Sequence, residues 1–116
     1  MTDLTKSLER ISRVRGVTGT MFVAADDGLA VAQLLMEGVN GKALAAFAAS
    51  LARKVSGAAA ATGAGHVRFV QLPAERGTLL VALAPRELLV VALAEPGVNV
   101  GLARLEMMRA AEAAVA

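Results

Sequence analysis

Two consecutive runs, Thr78–Ala84 (TLLVALA) and Leu88–Ala94 (LLVVALA), are apolar at almost every position. A strand with polar residues on neither face has to be covered on both. A chain with two such strands is committed to a sheet sandwiched between helices, and the rest of the sequence must supply them. The 116 residues allow one domain, residues 1–116. With 56% hydrophobic and 19% charged residues, apolar surface is ample to offset the entropy of ordering. Three Phe and no Trp or Tyr mean that Ala, Val and Leu must build the core.

The helices are legible by period. Leu4, Leu8, Ile11 and Val14 recur at helical spacing within Thr2–Arg15, with Lys6, Arg10 and Arg13 opposite. Thr2 is placed to cap this first helix and Gly16 to end it. Val17–Ala25 and Leu29–Leu35 flank Asp26-Asp27-Gly28, a strong hairpin signal. The loop Glu37–Gly41 leads into an Ala-dense second helix, Lys42–Thr62, closed by Gly63 and Gly65. His66–Leu72 is a third strand ended by Pro73. Turns at Ala74–Gly77 and Pro85–Glu87 bound the two apolar strands. After Pro96-Gly97, Asn99 can cap a third helix running to about Ala114. The order is α-β-β-α-β-β-β-α. This is an α+β sandwich: a five-stranded, mostly antiparallel sheet with the second helix on one face and the first and third on the other.

Several chemistries lack their required residues. With no Cys and one His, there is no disulfide, thiol nucleophile or structural zinc site. Gly38-Val39-Asn40-Gly41-Lys42 sits where a phosphate loop would, but Met36 replaces its first glycine and Ala43 its Ser or Thr. Asp26 and Asp27 diverge at a hairpin tip and suit a turn better than an acid–base pair. His66 has no sequence-near carboxylate, and Ser7, Ser12, Ser50 and Ser56 lie on helices without nucleophile-elbow glycines. The expectation is a protein that is not an enzyme, with no catalytic residue, metal or cofactor. The net charge is only +2, there is no basic run, and Phe22, Phe47 and Phe69 are too few for a base-stacking platform, so nucleic acid is not an expected partner. No stretch approaches the ~20 apolar residues of a membrane span, and no signal-peptide core precedes the first helix. The expected compartment is the cytoplasm.

The second helix divides into three stripes when its residues are stepped at about 100° each. Leu44, Phe47, Leu51 and Val55 form a large apolar stripe, expected to face the core. Beside it, Ala45, Ala49, Ala52 and Ser56 are all small. That stripe suits either close approach of another helix or an Ala-rich solvent face. The remaining face carries Lys42, Ala46, Ser50, Arg53 and Gly57.

With these elements in order, the chain resembles the Roadblock (dynein-light-chain-like) domain family in its minimal bacterial or archaeal form. The resemblance rests on Leu8-Glu9-Arg10-Ile11, Val14-Arg15-Gly16-Val17-Thr18-Gly19 and Asp27-Gly28-Leu29-Ala30-Val31-Ala32. It continues through the Ala-rich helix, Gly77-Thr78-Leu79-Leu80-Val81 and Leu88-Leu89-Val90-Val91. It implies a dimer whose central helices pair across a two-fold and whose third strands join the two sheets. It also implies regulation or scaffolding of a Ras-like small GTPase, without an inserted arginine finger. On that basis Ala45, Ala49, Ala52 and Ser56, with Val67 and Phe69 of the third strand, are expected at the homodimer interface. By exclusion, Lys42, Ala46, Ser50, Arg53 and Gly57 are left for the GTPase. The competing expectation is a small-molecule sensor of the PAS or profilin-like kind, which shares the helix-wrapped five-stranded sheet. Such pockets are usually lined by aromatics, and three Phe argue against one.

Overall fold

The structure, a computed structural model, describes residues 3–114. Its elements are α1 (Leu4–Ser12), β1 (Val17–Ala24), β2 (Leu29–Leu35), α2 (Gly41–Thr62), β3 (Phe69–Pro73), β4 (Thr78–Ala84), β5 (Leu88–Ala94) and α3 (Val100–Ala114). This is the expected order, in a five-stranded antiparallel sheet of spatial order β2-β1-β5-β4-β3.

Local chemistry sets the boundaries. The expected cap Thr2 lies outside the described residues. Capping of α1 falls to Asp3, whose carboxylate accepts from the backbone N–H of Thr5 and Lys6 at 3.0 and 3.3 Å. The helix also ends earlier than expected, at Ser12, and the chain turns through Gly16 (φ +98°) into β1. At the β1–β2 hairpin, the Gly28 N–H donates to the Ala24 carbonyl (2.9 Å) and Asp27 Oδ1 accepts from Leu29 N–H (3.0 Å). Asn40 caps α2 by accepting from Ala43 N–H, and Asn99 caps α3 by accepting from Leu102 N–H, each at 3.0 Å. β3 begins at Phe69, not His66, because its ladder with β4 runs only from Phe69 opposite Ala82 to Pro73 opposite Thr78. Val67 therefore lies in the loop before the strand.

The sheet separates two cores. On one face α1 and α3 bury Leu8, Ile11, Ala103 and Met107 against Phe22, Leu80, Val90 and Ala92. On the other, α2 alone covers Met21, Val23, Leu79, Val81, Leu89 and Val91. β4 and β5 contribute to both cores, which is why they have no polar face. The buried Thr20 hydroxyl is satisfied by donating to the Val91 carbonyl (3.0 Å).

α2 meets the sheet through a face that differs from the expected one. Its buried residues are Leu44, Ala45, Ala48, Ala49 and Ala52. Leu44 is common to both readings, but Phe47 is 51% exposed. Leu51 and Val55 are only half-buried. Ala48→Leu should therefore overpack the helix–sheet contact and cost about 1–3 kcal/mol in urea unfolding. Ala60→Leu, on the exposed side, should change stability by no more than about 0.5 kcal/mol. Equal effects would contradict this rotation of the helix.

Candidate functional site

The outer surface of α2 and the sheet margins beside it are the places where side-chain chemistry is left uncommitted. The core arc is centred about 90° around the helix from the stripe expected to face inward. The small stripe is the inward one: Ala45, Ala49 and Ala52 are 2%, 1% and 4% exposed, packed against the sheet of their own chain. They have no surface left to offer a second subunit, so their expected interface role is corrected. Ser56, the fourth member, lies past the end of that contact and is exposed.

The reason is closeness of approach. A Cβ on Gly28 would stand 3.6 Å from the Ala49 methyl, so the tip of the β1–β2 hairpin leans directly on the helix. At the N-terminus, a Cβ on Gly41 would fall 2.6 Å from Leu35 Cδ1 and 2.9 Å from Gln33 Oε1. Only short side chains allow that spacing; a Phe or Val facing the hairpin would lift the helix off the sheet. One signal in the sequence pointed the same way. Lys54 lies two turns beyond Phe47 on nearly the same line, and a lysine does not share a core stripe without a partner.

α2 packs mainly on β2 and β1 and less on β5 and β4. Two contacts fix its hairpin-facing side: the Gly28 approach, and Arg53, whose guanidinium donates to the Ala25 carbonyl at 3.1 Å. Phe47, Leu51 and Val55 project from the other flank, toward β4 and β3. There Leu51, Val70, Leu83 and Leu93 are only partly covered at the margin of the second core. Leu72, on the outermost strand β3, is 38% exposed. Phe69, expected at the interface, packs half-buried against the α1–α3 core on the opposite face of the sheet, its ring 5.5 Å from the Arg104 guanidinium carbon, and Val67 is half-buried in the preceding loop. A shelf of large apolar side chains thus runs from α2 toward a sheet edge that pairs on one side only.

The polar face is brought together as expected. Lys42, Ala46, Arg53 and Gly57 are exposed and Ser50 half-buried, all on the arc turned away from the sheet. Arg53 is already engaged with the hairpin, so of the two cations only Lys42 projects without a bond among the described residues. The other edge strand, β2, was not anticipated as a surface, yet Leu29, Val31 and Leu34 along it and Met36 just past its end are exposed. Among the described residues no group of three or more His, Asp or Glu side chains could hold a metal ion, and no helix is long and apolar enough to cross a membrane.

Residues 4–94 match the family model of the Roadblock/LC7 domain. An uncharacterized protein of Methanocaldococcus jannaschii is 33% identical over 105 residues, 90% of each chain. Among solved structures, a Roadblock/LC7 domain from Streptomyces avermitilis superposes with a TM-score of 0.85 at 22% identity, covering 96% of this chain and 93% of that one. Myxococcus xanthus MglB superposes with a TM-score of 0.84 at 14% identity, covering 96% and 90%. The chain belongs to the Roadblock/LC7 domain family.

Proposed function

We propose that this protein is a non-enzymatic dimeric regulator or scaffold of a Ras-like small GTPase. Two supports stand behind the reading: membership of the Roadblock/LC7 family, and similarity in fold to MglB. The single observation that carries it is the apolar shelf of Phe47, Leu51 and Val55 beside the open edge of β3. An isolated chain gains nothing by exposing that shelf and leaving the edge unpaired. A second copy related by a two-fold covers both at once, α2 against α2 and β3 against β3. Phe47, Leu51 and Val55 take the place of the alanines in the interface, with Phe69 and the preceding Val67 on the strand side.

In such a dimer the two outward arcs of α2 adjoin. Ser50 and Lys54 lie nearest the axis, with Lys42, Ala46, Arg53 and Gly57 farther out. This makes a modest cationic platform for the acidic switch surface of one GTPase, where charge speeds encounter more than it adds affinity. Arg53, held on the Ala25 carbonyl, shapes the platform and does not reach out as an arginine finger.

Light scattering should give twice 11.8 kDa at micromolar concentration. Phe47→Asp should lower it to one chain's mass with the fold intact by circular dichroism, and Ser56→Asp should leave the dimer unchanged. A monomeric wild type would contradict the dimer. With a Ras-like GTPase from the same organism, Lys42→Glu combined with Arg53→Glu should slow association, and stimulated hydrolysis should fall only in step with binding. If Arg53→Ala left affinity intact but abolished stimulated hydrolysis, the scaffold reading of Arg53 would be wrong.

A further inference from the structure

An open cleft of about 420 Å³ lies between the end of α2, the loop entering β3, and α3. Its lining includes Gly65, His66, Arg68, Phe69 and Arg104, and every ionisable side chain in it is basic. Arg68 and Arg104 make no ion pair among the described residues, where the ion pair present is Arg109 with Glu106. Arg104 lies over the Phe69 ring at 5.5 Å. A cation–π contact of that kind holds the guanidinium beside the ring and leaves N–H donors available.

The loop adds backbone donors. Among the described residues, the N–H groups of Gly65, His66, Val67 and Arg68 donate to no backbone carbonyl. Gly63 and Gly65 have φ of +77° and +89°, and a Cβ at either would meet nothing within 4 Å. The N–H groups of Gly63 and Ala64 are spent on α2, which leaves those from Gly65 onward as donors at the cleft, and backbone N–H groups beside a left-handed residue can bind an anion. The negative pole of α2 opposes this in part, since two of its last four carbonyls are capped among the described residues. The Ala60 carbonyl accepts from Gly63 N–H, and the Ala59 carbonyl from Ala64 N–H and the Thr62 hydroxyl.

We propose that this cleft is a binding site for a di- or polyphosphate group, one per chain, held by Arg68, Arg104 and the N–H groups of Gly65 and His66, which precede the residues placed at the dimer interface. Phosphate fits better than a chain of carboxylates. Two guanidinium groups and the N–H groups of one short loop line a single opening, so a compact group rich in oxygens can meet several together, whereas peptide carboxylates are spaced one per residue. Two guanidinium forks match the geometry of vicinal phosphate oxygens.

The test is a titration of the full-length protein with sodium pyrophosphate at constant ionic strength, followed by amide and arginine Nε NMR shifts. The expected result is saturable movement of Gly65–Phe69 and Arg104. Arg68→Gln with Arg104→Gln should weaken it about tenfold or more, and Lys6→Gln, on the exposed side of α1, should not. Arg104→Lys, which keeps the charge but loses the fork, should also weaken it. ADP arms separate the source: tighter binding than pyrophosphate assigns a nucleotide, equal binding a phosphate chain alone, and both support the site. Shifts that never saturate and spread over all exposed arginines would mean an adventitious ion only and overturn it. A hexaglutamate peptide that saturates these amides when pyrophosphate does not would overturn it in favour of an acidic protein segment.

Discussion

The contact between the alanine face of α2 and the sheet governs the rest of the molecule. Ala45, Ala48, Ala49 and Ala52 bring the helix down onto Met21, Val23, Val91 and the hairpin tip. One helix has to cover a face that two helices share on the opposite side. Alanine pays the least side-chain entropy in a helix, so it can line this contact at little cost. But short side chains also span little width, and α2 lies toward the β2–β1 half of the sheet. The β4–β3 half is left with Val70 and Leu83 only partly covered.

From that offset follows the character of the surface. The large side chains of α2 cannot fit beneath it, so Phe47, Leu51 and Val55 fall on the flank above the thinly covered half. The two edges of the sheet differ in how they are managed. β2 is irregular, with a register shift opposite Phe22 and Val23 that leaves Val31 unmatched. Such a bulge discourages pairing with another strand. β3 pairs regularly with β4 up to Pro73 and lies beside the apolar shelf, so it is the edge better prepared for a second chain.

What could be read from the chain divides along the range of the interactions. Caps and turns are local, and Asn99, Asp27-Gly28 and Gly63 act where their chemistry says they should. The doubly apolar β4 and β5 imposed the layered fold, because no other arrangement buries both faces. The rotation of α2 was not legible by apolar size. Ranking Phe, Leu and Val above Ala assumes that the largest residues face inward. Here the inward face is chosen by how near the backbones must come, which depends on Gly28 and Gly41 in other segments. The same error moved the candidate interface from Ala45, Ala49 and Ala52 to Phe47, Leu51 and Val55. The outward polar arc survived because Lys42 and Arg53 cannot be buried unpaired under either rotation. The basic cleft escaped sequence reading because Arg68 and Arg104 are distant in the chain and meet only through the packing of α3 near β3.

In the proposed dimer the flank of α2 carrying Phe47, Leu51 and Val55 is a self-complementary surface, while its alanine face belongs to the chain's own sheet. An isotope-filtered NOE experiment on a mixture of labelled and unlabelled chains tests it most directly. Contacts between chains are expected from the Phe47 ring to Leu51 and Val55 methyl groups, and within-chain contacts alone for Ala45, Ala49 and Ala52. Contacts between chains from those alanine methyls, with none from Phe47, would contradict it.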